Sequence, residues 1–102
     1  MIRMVSTGVA AAGTTQANAT GLTADFNEVT GADATKGVRL PPEVAGLEIF
    51  VSNQVAAILK VYPASGGKID AAATDAAFSQ TANKNCVYRA VSATQWYAQL
   101  SA

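Results

Sequence analysis

Histidine is absent from this chain of 102 residues, and cysteine occurs once, at Cys86. The first absence removes the commonest general base, the commonest metal ligand and the usual partner of a serine or cysteine nucleophile. The second excludes an intrachain disulfide and any multi-cysteine zinc site. Charge is scarce as well: 14% of residues are charged, with Lys and Arg at 7 against Asp and Glu at 7. That balance leaves no electrostatic footprint for nucleic acid or an anionic membrane. No apolar run approaches the roughly 18 residues that span a bilayer. The opening MIRMVSTGVAAAG has one arginine, an apolar patch and small residues, but Ser6, Thr7 and Gly8 interrupt it and argue against a signal peptide.

Motifs that carry chemistry are equally sparse. Gly66-Gly67-Lys68 lacks the earlier glycine of a phosphate loop, because Tyr62 occupies that place, so the segment reads as a turn. Asp25 with Glu28, and Asp70 with Asp75, lack the dense oxygen pattern of a calcium loop. The serines have no histidine to activate them. No enzyme activity, catalytic residue, metal or cofactor is therefore expected.

What the sequence does contain is short β-like runs between turns. Half of the residues are apolar, much of that alanine, which suits one domain with one core. Leu47 to Ser52 and Ile58 to Tyr62, separated by Asn53 to Ala57, read as a hairpin. Its odd-numbered face, Leu47, Ile49, Val51, Leu59 and Val61, is core. Its even-numbered face sets Phe50, Ile58 and Tyr62 among Glu48, Ser52 and Lys60, too apolar for open surface, and is expected to be covered by a partner or by the chain's own arm or loop.

Met1 to Ala12 reads as an extended arm that offers Met1, Ile2, Met4 and Val5 for strand addition to a neighbour. Gly13 to Thr20 is a candidate edge strand, and strands are expected at Val29-Thr30, Val38 to Leu40 and Ala77 to Thr81. Asp70 to Ala77 has helix propensity but reads as a loop, since Phe78 is its only large apolar anchor. Cys86 to Val91 and Gln95 to Leu100 form a closing hairpin that pairs Ala90 with Trp96, Tyr88 with Ala98 and Cys86 with Leu100. Trp96 and Cys86 then fall in the core, and Tyr97 on the surface. About eight short antiparallel strands in residues 13–102 imply an all-β, jelly-roll-like sandwich or barrel behind the arm at 1–12.

LTADFNEVT (Leu22 to Thr30), GVRLP (Gly37 to Pro41), LEIFVSN (Leu47 to Asn53), LKVYPASGGKID (Leu59 to Asp70), ANKN (Ala82 to Asn85) and QWYA (Gln95 to Ala98) resemble small virion proteins of tailed bacteriophages. These are capsid decoration or cement proteins and related head-fibre modules. The resemblance covers about Gly21 to Ala98. It implies a β-rich, non-enzymatic protein, made in the bacterial host cytoplasm, that sits on the capsid exterior and binds the major capsid protein. It also implies a homo-oligomer, a trimer rather than a dimer, with neither nucleic acid nor membrane as partner. The alternative class is a carbohydrate- or receptor-binding module of a phage fibre, with exposed aromatics such as Tyr62 or Tyr97 forming the site.

Overall fold

Alternation along each short run decides which side chains turn inward, and the turns between runs decide which strands become neighbours. The computed structural model describes residues 4–101 and has ten strands among them. They are β1 (Val5–Ala10), β2 (Thr20–Gly21), β3 (Phe26–Gly31), β4 (Gly37–Arg39), β5 (Glu48–Asn53), β6 (Leu59–Tyr62), β7 (Lys68–Ile69), β8 (Phe78–Gln80), β9 (Asn85–Ala90) and β10 (Gln95–Leu100). One sheet has six strands in the order β1-β3-β5-β9-β10-β7, and the other has four in the order β2-β4-β6-β8.

The chain enters the two sheets alternately and in the same direction on each circuit, so successive circuits stack in parallel. Val5 lies beside Phe26 and Phe26 beside Phe50, while Thr20 lies beside Val38 and Val38 beside Val61. The same ladder bonds recur from turn to turn. Phe26 N–H donates to Met4 O at 3.1 Å and Phe50 N–H to Asp25 O at 2.8 Å; Leu22 N–H donates to Arg39 O at 2.9 Å and Leu40 N–H to Tyr62 O at 2.8 Å. The direction then reverses: β8 runs antiparallel to β6, and β9 antiparallel to β5 and β10.

This architecture is a β-solenoid of about 4 turns with mixed sheets, and it corrects the expected jelly-roll-like sandwich or barrel of antiparallel strands. All-β composition holds; the connectivity does not. The central hairpin is absent, because β5 belongs to the six-stranded sheet and β6 to the four-stranded one. Asn53 makes the difference. Its buried amide donates to Ala57 O at 2.9 Å and Thr81 O at 3.2 Å, and its Oδ1 accepts Val55 N–H at 3.2 Å. Gln54 N–H meanwhile reaches Val29 O at 3.0 Å, continuing the parallel ladder into the corner. Five residues therefore carry the chain across to the facing sheet instead of back along the same one.

The expected arm differs too, since Val5–Ala10 is β1, parallel to β3. Met1 and Ile2 lie outside the described residues. Gly13 to Ala19 makes turns rather than an edge strand. Asp70 to Ala77 is non-helical, with Asp70 and Asp75 at positive φ (51° and 66°). Asp75 is held there by Gly66 N–H and Gln16 Nε2, both donating to its Oδ1.

The core lies between the sheets and includes Val29, Val38, Leu40, Ile49, Val51, Leu59, Val61, Ile69, Tyr88 and Trp96. Every odd-numbered residue assigned to the central core face is buried, apart from the half-buried Leu47. The closing hairpin has the expected register, with Trp96 beside Ala90, Ala98 beside Tyr88 and Leu100 beside Cys86.

Candidate functional site

Parallel stacking sets residues of different turns into columns on the outer faces of the sheets. On the six-stranded sheet one column runs Val5, Phe26, Phe50 and Val87 across β1, β3, β5 and β9. The burial alternation of β3 and β9 sends Asn27, Val29, Cys86 and Tyr88 inward and leaves Phe26 and Val87 outward. Val5 is 66% exposed and Phe26 36%, and the rings of Phe26 and Phe50 stack at a tilt with centroids 5.7 Å apart. Shallow recesses flank Phe50 on both sides: about 230 Å³ bounded by Val5, Thr7 and Phe26, and about 480 Å³ bounded by Val87, Gln99 and Leu100.

Polar rows border this column. On one side Glu28, Ser52 and Asn85 are neighbours, with Ser52 Oγ donating to Asn85 Oδ1 at 2.6 Å and accepting from Gln54 Nε2. On the other side Glu48, Arg89 and Tyr97 are neighbours. Arg89 pairs with Glu48 at 2.6 Å and donates to Gln99 Oε1 at 2.9 Å, so its guanidinium is committed to a carboxylate and an amide. This exposed ion pair contributes about 0.2 to 1 kcal/mol at most and serves chiefly as a border. An apolar centre inside a polar rim is the anatomy of a protein-binding patch.

Of the residues expected at an interface, Val5 and Phe50 fall within this column. Met4, 67% exposed, immediately precedes β1. Ile58 is exposed just before β6, away from the column. Tyr62 lies on the opposite sheet, so Phe50 and Tyr62 do not share a face. The chain's own turn covers Tyr62. Its hydroxyl donates to Thr14 O at 3.1 Å, and Arg39 on the neighbouring strand donates to Gln16 O at 2.9 Å. A Cβ on Gly37 would sit 2.7 Å from the Tyr62 ring, so only glycine lets the ring lie there. Tyr97, 53% exposed, is on the six-stranded sheet and cannot share an aromatic platform with Tyr62. Phe26 and Val87 were not anticipated; their only signal is their register beside Phe50.

Among the described residues, three titrating groups have shifted pKa values. Burial pushes the Cys86 thiol up to about 11 and the Tyr88 hydroxyl well above its ordinary range. Cys86 is thus a protonated, inert core residue at neutral pH. Asp33 is held down at about 2, first by the Thr35 hydroxyl and then by the Thr35 N–H. It shapes the loop ahead of β4. Among the described residues no group of three or more metal-ligating side chains converges, and no helix is long and apolar enough to cross a membrane.

No family model, curated protein or solved structure matches the chain.

Proposed function

We propose that the chain is a non-enzymatic structural protein that attaches to the exterior of a bacteriophage capsid through the outer face of its six-stranded sheet. The observation that carries this reading is the Val5–Phe26–Phe50–Val87 column, bordered by the Glu28–Ser52–Asn85 and Glu48–Arg89–Tyr97 rows. Apolar side chains stacked across four strands on a sheet face otherwise open to water form a surface patch suited to a protein partner. The phage setting comes from the resemblance of the segments between Gly21 and Ala98. A capsid shell repeats one binding site many times, so linked copies attach firmly through modest individual contacts.

Phe50→Lys tests the reading. Phe50 is only half-buried and points away from the core, so the variant should melt within a few degrees of the parent, as surface substitutions do. Co-sedimentation with empty heads of the phage or prophage that encodes the chain should weaken roughly tenfold or more, as for the loss of a central aromatic anchor. Equal attachment by parent and folded variant would remove this face from the function. Binding of the parent to a glycan array, without binding to heads, would replace the capsid reading with the fibre one.

A further inference from the structure

We propose that two copies of the chain pair through β1, antiparallel about a two-fold axis at Ser6, and so join their six-stranded sheets into one. Among the described residues the two sheets have four edges, β1 and β7 on one and β2 and β8 on the other. β2, β7 and β8 have two, two and three residues, whereas β1 has six. Short edges give an incoming strand little to hold, and the long one is the exception. Its sequence, VSTGVA, has no charge and no proline, the residues that ordinarily guard an edge.

Hydrogen-bond geometry shows which part of β1 is available. Val5 sits beside Phe26, and Phe26 N–H donates to Met4 O. In a parallel ladder this arrangement turns the backbone groups of Met4 and Ser6 toward β3 and those of Val5 and Thr7 away from it. Beyond them the ladder shifts register between Ser6 and Val9, with Gly8 at φ +66°. Past that irregularity the outward groups are already engaged: Ala10 O accepts the Thr20 hydroxyl at 2.7 Å, and Ala12 exchanges bonds with Gly37. Among the described residues, the open part of the edge is therefore Val5 to Thr7.

Three residues with this alternation are self-complementary. Placing the two-fold axis at Ser6 sets Val5 opposite the second copy's Thr7 and Thr7 opposite the second copy's Val5. Each is then a hydrogen-bonded antiparallel pair that exchanges both N–H···O bonds. The side chains agree. Val5, 66% exposed, and Phe26 begin the apolar column at this edge, and pairing sets Val5 against the second copy's Thr7, with the second copy's Val5 as its diagonal neighbour on the same face. Without charge on the strand, like-charge repulsion does not oppose the approach. Such a contact is isologous and closes at two copies, so this edge builds a dimer and not the trimer implied by the resemblance. A three-residue pairing is small by interface standards, and the association is correspondingly concentration-dependent.

Sedimentation velocity on the full-length chain, from about 1 μM to about 1 mM, a range spanning weak to moderate affinity, tests the pairing. The mass should rise from the 10.4 kDa monomer toward twice that value. Thr7→Pro removes an N–H that faces away from β3 and has no partner among the described residues, and Val5→Lys places a charge beside the axis. Each variant should keep the parent's melting temperature and stay monomeric over the whole range. Phe50→Lys should dimerise like the parent, which separates failure of this pairing from failure of capsid attachment. A parent that remains at 10.4 kDa, a plateau at three copies, or parent-like dimerisation by a folded Thr7→Pro or Val5→Lys variant would overturn the proposal. Should Thr7→Pro fail to fold, Val5→Lys decides.

Discussion

Trp96→Ala should lower the stability of the chain by about 3 to 5 kcal/mol, as deletion of a large buried aromatic does. Trp96 is the largest fully buried side chain, with no exposed surface. It sits where the closing strands meet, beside Ala90 of β9 and Ile69 of β7. Its indole N–H donates to Glu43 Oε2 at 2.9 Å, fastening the loop after Pro41-Pro42 to the C-terminal hairpin. Alanine would leave a cavity at the point where the reversed strands close the solenoid, and would leave the half-buried Glu43 carboxylate without that donor. Small domains have about 5 to 15 kcal/mol in all, so the variant loses a large share of its margin. Urea unfolding is the measurement. A loss under about 1 kcal/mol would mean that the site relaxes around the missing ring, contrary to the packing described.

The second large effect is expected at Gln80, a fully buried glutamine that ties the two sheets together. Its Nε2 donates to Val51 O at 2.9 Å and Lys84 O at 2.9 Å, and its Oε1 accepts the Tyr88 hydroxyl at 2.8 Å. Leucine preserves the size but satisfies none of these partners. Gln80→Leu should therefore cost about 2 to 4 kcal/mol, most of it from leaving the buried Tyr88 hydroxyl without its acceptor, while the Val51 and Lys84 carbonyls keep only their backbone donors. Adding Tyr88→Phe removes that stranded hydroxyl. The double variant should be less destabilised than the sum of the singles, and strict additivity would show that the Gln80–Tyr88 bond contributes nothing.

Gln80 also marks where sequence reasoning stops. A glutamine in Ala77 to Thr81 reads as surface by polarity, and only the assembled neighbours reveal it as a buried link. Core positions were more legible. Ile49, Val51, Leu59 and Val61 declare themselves inward by alternation, which reports the buried side of a strand whatever strand lies next to it. For the same reason alternation cannot separate a hairpin in one sheet from two strands in facing sheets. Both arrangements bury Ile49, Val51, Leu59 and Val61.

Register was legible where it is local. Ser92 to Thr94 closes the β9–β10 hairpin over a short span, and turn length sets the pairing there. The parallel pairs have no such device. Phe26 and Phe50, or Val38 and Val61, are brought together by corners of unequal length, and the recurrence of Phe and Val at matching places is the only trace of a repeat. Parallel strands are also ordinarily covered on both faces and read as continuous apolar runs. Here one face is open, so FNEVTG and EIFVSN look antiparallel. The candidate site shares that blind spot, because Val5, Phe26 and Val87 become neighbours of Phe50 only through this register.

Covalent footprinting of side chains tests attachment through that column. The full-length chain would be labelled with a photogenerated carbene, free and bound to empty heads, and the modified residues located by mass spectrometry. Phe26, Phe50 and Val87 should lose most of their labelling on binding, while exposed Ile58, beyond the β5–β6 corner, keeps its own. Unchanged labelling of Phe26 and Phe50 on head-bound protein would contradict that attachment.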